Sequence, residues 1–188
     1  MVMCRLGLIV PSSNTTMEAE FWKMLPGDIT LHTTRLRLKR LTVTELTRME
    51  RNLIRAVEEL SDARVNVIGY GCTSGSLIKG IRHEQGIVGS IERISKIPSV
   101  TTAGSVVSAL NALKAKRVAV ATPYTKEING LERDFLAGHG FTVIDMKGLG
   151  LENNTEIGIQ DPLVAYTLAS RLRHDEADAV FISCTNLR

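Results

Sequence analysis

The chain has 188 residues, enough for a sizeable core, with 44% hydrophobic and 23% charged residues, the balance of a soluble globular protein. A formal net charge of +3, with no basic run interleaved with aromatics, argues against nucleic-acid binding. No apolar stretch approaches the roughly 20 residues of a membrane helix, and three cysteines, an odd number, argue against a disulfide framework.

The chain start runs straight into a first strand, Arg5–Val10, without the charged-then-apolar layout of a signal peptide. A cytoplasmic location is the expectation. The loop Pro11-Ser12-Ser13-Asn14-Thr15-Thr16 follows, dense in small polar donors. Thr15 or Thr16 can cap the next helix, expected near Met17–Leu25. A second strand is expected at Ile29–Leu36. Thr42 with Glu45 reads as a capping box opening one helix to Leu60. Its Leu46, Met49, Leu53, Val57 and Leu60 recur at three- and four-residue steps, one buried face. Strand Val65–Tyr70 comes next, then a helix near Gln85–Ser95, strand Ser99–Thr101 and a helix near Val106–Leu113. Strand Arg117–Ala121, helix Glu127–Ala137 and strand Phe141–Met146 continue the alternation. A glycine-flanked loop, Gly148 to Gly158, carries Asn153-Asn154. Asp161-Pro162 marks an N-cap and first-turn proline for a helix to about Arg173. Strand Ala179–Ser183 closes the series. Alternating strands and helices predict an α/β fold with parallel sheets and helices on both faces.

The chain repeats itself. Val65 to Ser74 aligns with Ala177 to Asn186, and Leu6 to Pro11 aligns with Val118 to Pro123, both at an offset of 112 residues. A period this long means two duplicated α/β halves rather than a short-repeat solenoid. The expected division is 1–106, carrying Cys72, and 107–188, carrying Cys184. By the repeat's own logic the second half lacks roughly 40 residues after Cys184. Pro11, Cys72, Pro123 and Cys184 all fall at the carboxyl ends of strands, where such sheets bind ligands.

Two thiols placed alike in two halves can converge on one ligand. The thiolate is the reactive form, and Gly71-Cys72-Thr73-Ser74-Gly75-Ser76 offers what an anion needs. Its glycines permit close backbone approach, and its hydroxyls can donate to a carboxylate. A lone cysteine is more often a small buried hydrophobe; the matched partner at Cys184 turns the balance toward chemistry. Cys4, inside the first strand, reads as structural. Tyr124, after Pro123, presents a polar tip on a bulky group, and turn chemistry alone is the competing account of Asn154. His83 lies near the Cys72 helix with a surface role expected. The four histidines, His32, His83, His139 and His174, show no metal-ligand spacing. No phosphate-binding glycine motif is present. Neither a metal nor a cofactor is expected.

Pro11-Ser12-Ser13-Asn14-Thr15, Gly71-Cys72-Thr73-Ser74-Gly75 and Ser183-Cys184-Thr185-Asn186 resemble the motifs of maleate cis-trans isomerases, a family of the aspartate/glutamate racemase superfamily. The resemblance implies two pseudo-symmetric halves with the active site in the cleft between them, and a homodimer. It implies that Cys72 adds to a double-bond carbon of maleate, giving a succinyl-like thioether whose single bond can rotate before elimination to fumarate. Cys184 is implied as the acid/base on the opposite side. Asn14, Tyr124 and Asn154 match positions that hold the substrate carboxylates. Thr73, Ser74, Thr185 and Asn186 add hydrogen bonds near the thiols. Ser12 of the first loop completes the candidate substrate-binding set. Amino-acid racemases of similar fold carry an Asp-Ser-Gly type first loop and often a His after the second Cys-Thr, unlike this chain. Arylmalonate decarboxylases keep only the second cysteine, and Cys72 argues against them. A two-cysteine amino-acid or hydantoin-type racemase remains the alternative enzyme, and a non-catalytic binder of small carboxylates the alternative of another class.

Overall fold

The computed structural model describes residues 4–188. The chain runs β1 (Cys4–Pro11), α1 (Met17–Met24), β2 (Ile29–Leu36), α2 (Val43–Glu50), α3 (Leu53–Asp62), β3 (Val67–Tyr70), α4 (Thr73–Leu77), α5 (His83–Ser95), β4 (Ser99–Thr101) and α6 (Thr102–Ala112). It continues through β5 (Arg117–Thr122), α7 (Lys126–Gly138), β6 (Thr142–Gly148), α8 (Asn154–Gly158), α9 (Pro162–Ser170) and β7 (Ala179–Ile182). Two sheets form, with strand orders β2-β1-β3-β4 and β6-β5-β7, and every pairing within them is parallel.

The 112-residue repeat is a structural one. β5, β6 and β7 take the places in the second sheet that β1, β2 and β3 take in the first. Individual hydrogen bonds repeat too. Gly71 N–H donates to Ile9 O at 2.7 Å, and Ser183 N–H to Ala121 O at 2.8 Å. The Asn66 side chain accepts from Arg5 N–H at 2.7 Å, and Asp178 accepts from Arg117 N–H at 2.7 Å. Each pair sits at the same offset, so both halves build the same strand ends by the same local bonds. The central strands are buried on both faces, as helix-covered parallel strands must be: Ile9, Val10, Val118 and Val120 are all 1% exposed or less.

The two halves share one core. A single apolar cluster joins Ile9, Ile68 and Tyr70 to Val118, Phe135 and Ile157. The seam is also hydrogen-bonded. The segment after β2 meets the loop before α8: Leu41 N–H donates to Glu152 O at 2.7 Å, and Asn154 N–H to Lys39 O at 3.0 Å. The passage from one sheet to the other runs through α6, which spans the expected 106/107 division.

Five expectations need correction. The single helix from Thr42 to Leu60 is two, because Arg51 and Asn52 N–H donate to Arg48 O and Met49 O, a tighter i→i−3 turn. Asn52 competes for backbone bonds and favours such a break. Thr42 does cap α2, accepting from Glu45 N–H at 3.3 Å, while the Glu45 carboxylate turns to Arg48 rather than closing the box. The Gly148–Gly158 loop contains the short helix α8, capped by the Asn153 side chain. Thr16 does hold the N-cap position of α1, but its side chain makes no capping bond; Asn14 Oδ1 accepts instead from both Thr16 and Met17 N–H at 3.0 Å. Finally, His83 is no surface residue. Its side chain is 9% exposed, 3.6 Å from Glu50, and burial lowers its pKa.

Candidate active site

Cys72 stands two residues beyond β3 as the N-cap of α4. Its Sγ accepts from Gly75 N–H at 3.3 Å and lies 3.8 Å from Ser74 Oγ. Gly75 is required here by space: a Cβ would stand 2.9 Å from Cys72 Sγ and 3.0 Å from the Tyr70 hydroxyl. Cys184 stands two residues beyond β7, its Sγ accepting from Asn186 N–H at 3.4 Å. Here the halves differ. Cys72 is extended at φ −142°, whereas Cys184 holds φ 91°, a region that costs a side-chain-bearing residue strain.

Both thiols are held neutral. Burial pushes Cys72 up to about 12, with the Gly75 N–H and Ser74 hydroxyl pulling the other way and negative charge on Cys184 adding to the rise. Burial likewise raises Cys184, opposed by Asn186 N–H and the Tyr124 hydroxyl, while Glu132 adds to the rise. Charge on either cysteine is felt by Tyr124, which is 1% exposed. The Tyr124 hydroxyl has no partner of hydrogen-bond geometry. An unpartnered buried hydroxyl is costly unless something else needs it.

A hydrogen-bond chain ties the two cysteine loops together. Asn14 Nδ2 donates to Thr185 Oγ1 at 3.0 Å, and the Thr185 hydroxyl donates to Gly71 O, the carbonyl before Cys72, at 3.1 Å. Asn154 Nδ2 donates to Ser13 Oγ at 2.8 Å, and Asn186 Nδ2 to Asn154 O at 2.6 Å. Asn186 also accepts from Thr15 N–H at 2.9 Å, and its carbonyl accepts from the Thr16 hydroxyl at 3.0 Å. The close packing leaves Gly158 no room for a Cβ, which would meet Thr15 Oγ1 at 2.7 Å.

The structure thus gathers Asn14, Asn154, Thr185 and Asn186 in one network beside Cys72 and Cys184, with Thr73 and Ser74 opening α4 and the buried Tyr124 feeling charge on either thiol. Ser12 stands apart: its hydroxyl donates to Leu38 O at 3.2 Å and accepts from Leu38 N–H at 3.1 Å, fixing the end of β2. Two surface hollows lie outside the network. One, of about 560 Å³ between α5, β4 and α6, touches neither thiol. The other, of about 590 Å³, has Ser12, Ser13, Lys39 and Arg40 on its wall, directly beyond the Ser13–Asn154 bond. Among the described residues no group of three or more His, Cys, Asp or Glu is arranged to hold a metal ion, and no helix is long and apolar enough to cross a membrane.

Sequence reading missed two members of the neighbourhood. Glu132 on α7 is 1% exposed, and Ser183 donates to it at 2.5 Å. The signal was present: Glu132 sits four residues after Ile128 and three before Phe135, inside the apolar stripe of α7. A lone acid on a buried face needs a reason.

The family model described as arylmalonate decarboxylase matches residues 6–188. The chain is 33% identical over 191 residues to the maleate isomerase of Pseudomonas putida strain KT2440, covering 95% of this chain and 76% of that protein. It superposes with TM-score 0.94 and 33% identity on the crystal structure of a cysteine-to-alanine variant of the Pseudomonas putida S16 maleate isomerase with maleate, covering 98% and 79% of the two chains. It superposes equally, TM-score 0.94 at 30% identity over 98% and 80%, on a cysteine-to-serine mutant of the Nocardia farcinica maleate cis-trans isomerase with a covalently bound succinylcysteine intermediate.

Proposed function

Because the chain belongs to the maleate isomerase family, within the group that the arylmalonate decarboxylase model describes, we propose that it converts maleate, or a similar small unsaturated dicarboxylate, to the trans isomer through a covalent cysteine adduct. The observation that carries the reading is the Asn14–Thr185–Gly71 chain, which locks the buried Cys72 loop and the half-buried Cys184 loop, from opposite halves, around one spot.

Cys72 is the nucleophile in this mechanism. Cys72 first gives up its proton to water and attacks as the thiolate: its sulfur forms a bond to one alkene carbon, the π pair moves to the other carbon, and the Cys184 thiol delivers a proton there. The former double bond is now single and rotates. Cys184 thiolate then removes a proton from the same carbon, the π bond re-forms, and Cys72 leaves as thiolate. Protons balance, and one hard rotation becomes several easier steps. Gly75 N–H and the Ser74 hydroxyl stabilise the Cys72 thiolate when it forms. Asn14, Asn154 and Tyr124 hold the carboxylates, Tyr124 with a hydroxyl free to donate. Thr73, Thr185 and Asn186 complete the donor set around the thiols. A succinylcysteine in the Nocardia relative supports the covalent step.

The test is incubation with maleate, followed by proton NMR for fumarate and intact mass for an adduct. Wild type forms fumarate. Cys184→Ser, whose hydroxyl is a poor base for taking the proton back from the adduct, turns over about 10²–10⁴-fold more slowly and accumulates a dicarboxylate mass on Cys72. Cys72→Ser forms neither product nor adduct. Fumarate production untouched by Cys72→Ser sinks the reading. The same reading places the protein in the cytoplasm as a homodimer, the latter checked by light scattering.

A further inference from the structure

The acid on the buried face of α7 has no part in the steps above. Glu132 Oε1 accepts from the Ser183 hydroxyl at 2.5 Å, and Ser183 is the residue before Cys184. Its Oε2 has no partner. Ser183 is fully buried and also eases ionisation of Tyr124, which feels charge on both thiols, so the serine adjoins the tyrosine as well as the acid. On the other side, Glu132 shares with Thr73, the residue after Cys72, a hollow of about 10 Å³ whose remaining wall includes Leu77, Ala103, Val106 and Phe181. The carboxyl thus bonds the flank of the Cys184 loop and lies across a small hollow from the residue after Cys72, on a second-half helix that packs on α4.

We propose that Glu132 is a positioning residue for Cys184, holding the Ser183–Cys184 turn through the Ser183 hydroxyl. The proposal rests on the isomerase reading. Cys184 keeps φ 91°, a backbone shape its own side chain disfavours. Strained residues persist only when their surroundings over-determine them, and the Ser183 bond to a rigid helix is such a constraint. The titratable groups facing the acid are the Cys184 thiol and the Tyr124 hydroxyl. Its other named neighbours, from α4, α6 and β7, carry no charge. Burial pushes the carboxyl up to about 7, so it is protonated through the mildly acidic range. When it ionises, its charge opposes the thiolate that Cys184 becomes in the adduct.

The experiment pairs kinetics with thiol chemistry. Glu132→Gln keeps an acceptor for Ser183 and stays uncharged. At pH 6 its kcat remains within about threefold of wild type, whereas Glu132→Leu and Ser183→Ala lose roughly tenfold or more in kcat with little change in KM. Iodoacetamide labelling of Cys184 in unliganded protein, read by peptide mass against pH, shows a lower midpoint in Glu132→Gln than in wild type. If Glu132→Leu does not fold by circular dichroism, Ser183→Ala carries that arm. Glutamine falling as far as leucine, Ser183→Ala keeping wild-type kcat, or an unmoved labelling midpoint each overturns the proposal. Wild type inert toward maleate refutes the isomerase reading instead, and the labelling midpoint still decides the role of Glu132.

Discussion

The Asn14 side chain donates from Nδ2 to Thr185 Oγ1 at 3.0 Å, across 171 residues of sequence, while its Oδ1 caps α1 through the Thr16 and Met17 N–H groups. One amide thus joins the first loop to the Cys184 loop and starts a helix. Asp in its place keeps the acceptor, and so the cap, but loses the donor and adds a negative charge where a dianion binds. Asn14→Asp is expected to keep its melting temperature within a few degrees and to lose about 10²-fold or more in kcat/KM. Asn14→Ala loses the cap as well, at about 1 kcal/mol. Thermal unfolding and steady-state kinetics on both variants separate the two duties.

Tyr124 offers a cleaner separation. Its hydroxyl is buried without a partner, so Tyr124→Phe removes an unsatisfied group and leaves stability unchanged or slightly raised. A hydrogen bond to a charged group contributes about 1.5–3 kcal/mol, so kcat/KM is expected to fall roughly 10–100-fold. The hydroxyl also eases ionisation of Cys184, and the labelling midpoint of that thiol therefore rises in Tyr124→Phe. A variant as active as wild type would show that Tyr124 does not touch the substrate.

Gly75 is where packing and chemistry meet. A methyl there stands 2.9 Å from both Cys72 Sγ and Met49 Cε. Met49 is flexible and can yield, but the thiol and the Tyr70 ring are fixed in the core. Gly75→Ala is expected to cost about 1–3 kcal/mol by overpacking and to displace Cys72 from the N–H that supports its thiolate. Denaturant unfolding reads the first effect, and loss of adduct formation with maleate the second.

Glu132 makes a stability prediction with a definite sign. Its folded pKa, about 7, is raised above the ordinary 4.5 by burial. The native state therefore holds a proton that the unfolded chain has already lost. Stability from this group is full below about pH 4.5, declines as the pH rises, and is gone above about 7, a loss of roughly 3 kcal/mol. Glu132→Gln removes that slope. The difference in unfolding free energy between wild type and Glu132→Gln, measured by urea titration from pH 5 to 8, is expected to move steadily in favour of the glutamine variant. A constant difference across that range contradicts a raised carboxyl.

The amino-acid sequence by itself determined the seven strands, the duplication and the two cysteines, because those signals are local. An apolar run or a glycine at a strand end acts through neighbours a few residues away, and the 112-residue offset can be read by eye. Even the capping of α2 by Thr42 and of α9 by Asp161 is a bond within three residues. What only the tertiary structure decided are the bonds that span the molecule. Thr16 stands at the N-cap of α1, yet its hydroxyl goes to Asn186 O, 170 residues away, and the capping bonds come from Asn14. Ser12 and Asn14 look alike in a polar loop, yet one ties off β2 and the other bridges the halves. Glu132 sits in the apolar stripe of α7, yet the partner that explains it, Ser183, arrives from 51 residues away. A side chain with several possible partners takes the one that folding brings within reach. That choice is made by packing of the whole chain, which no short window of sequence contains.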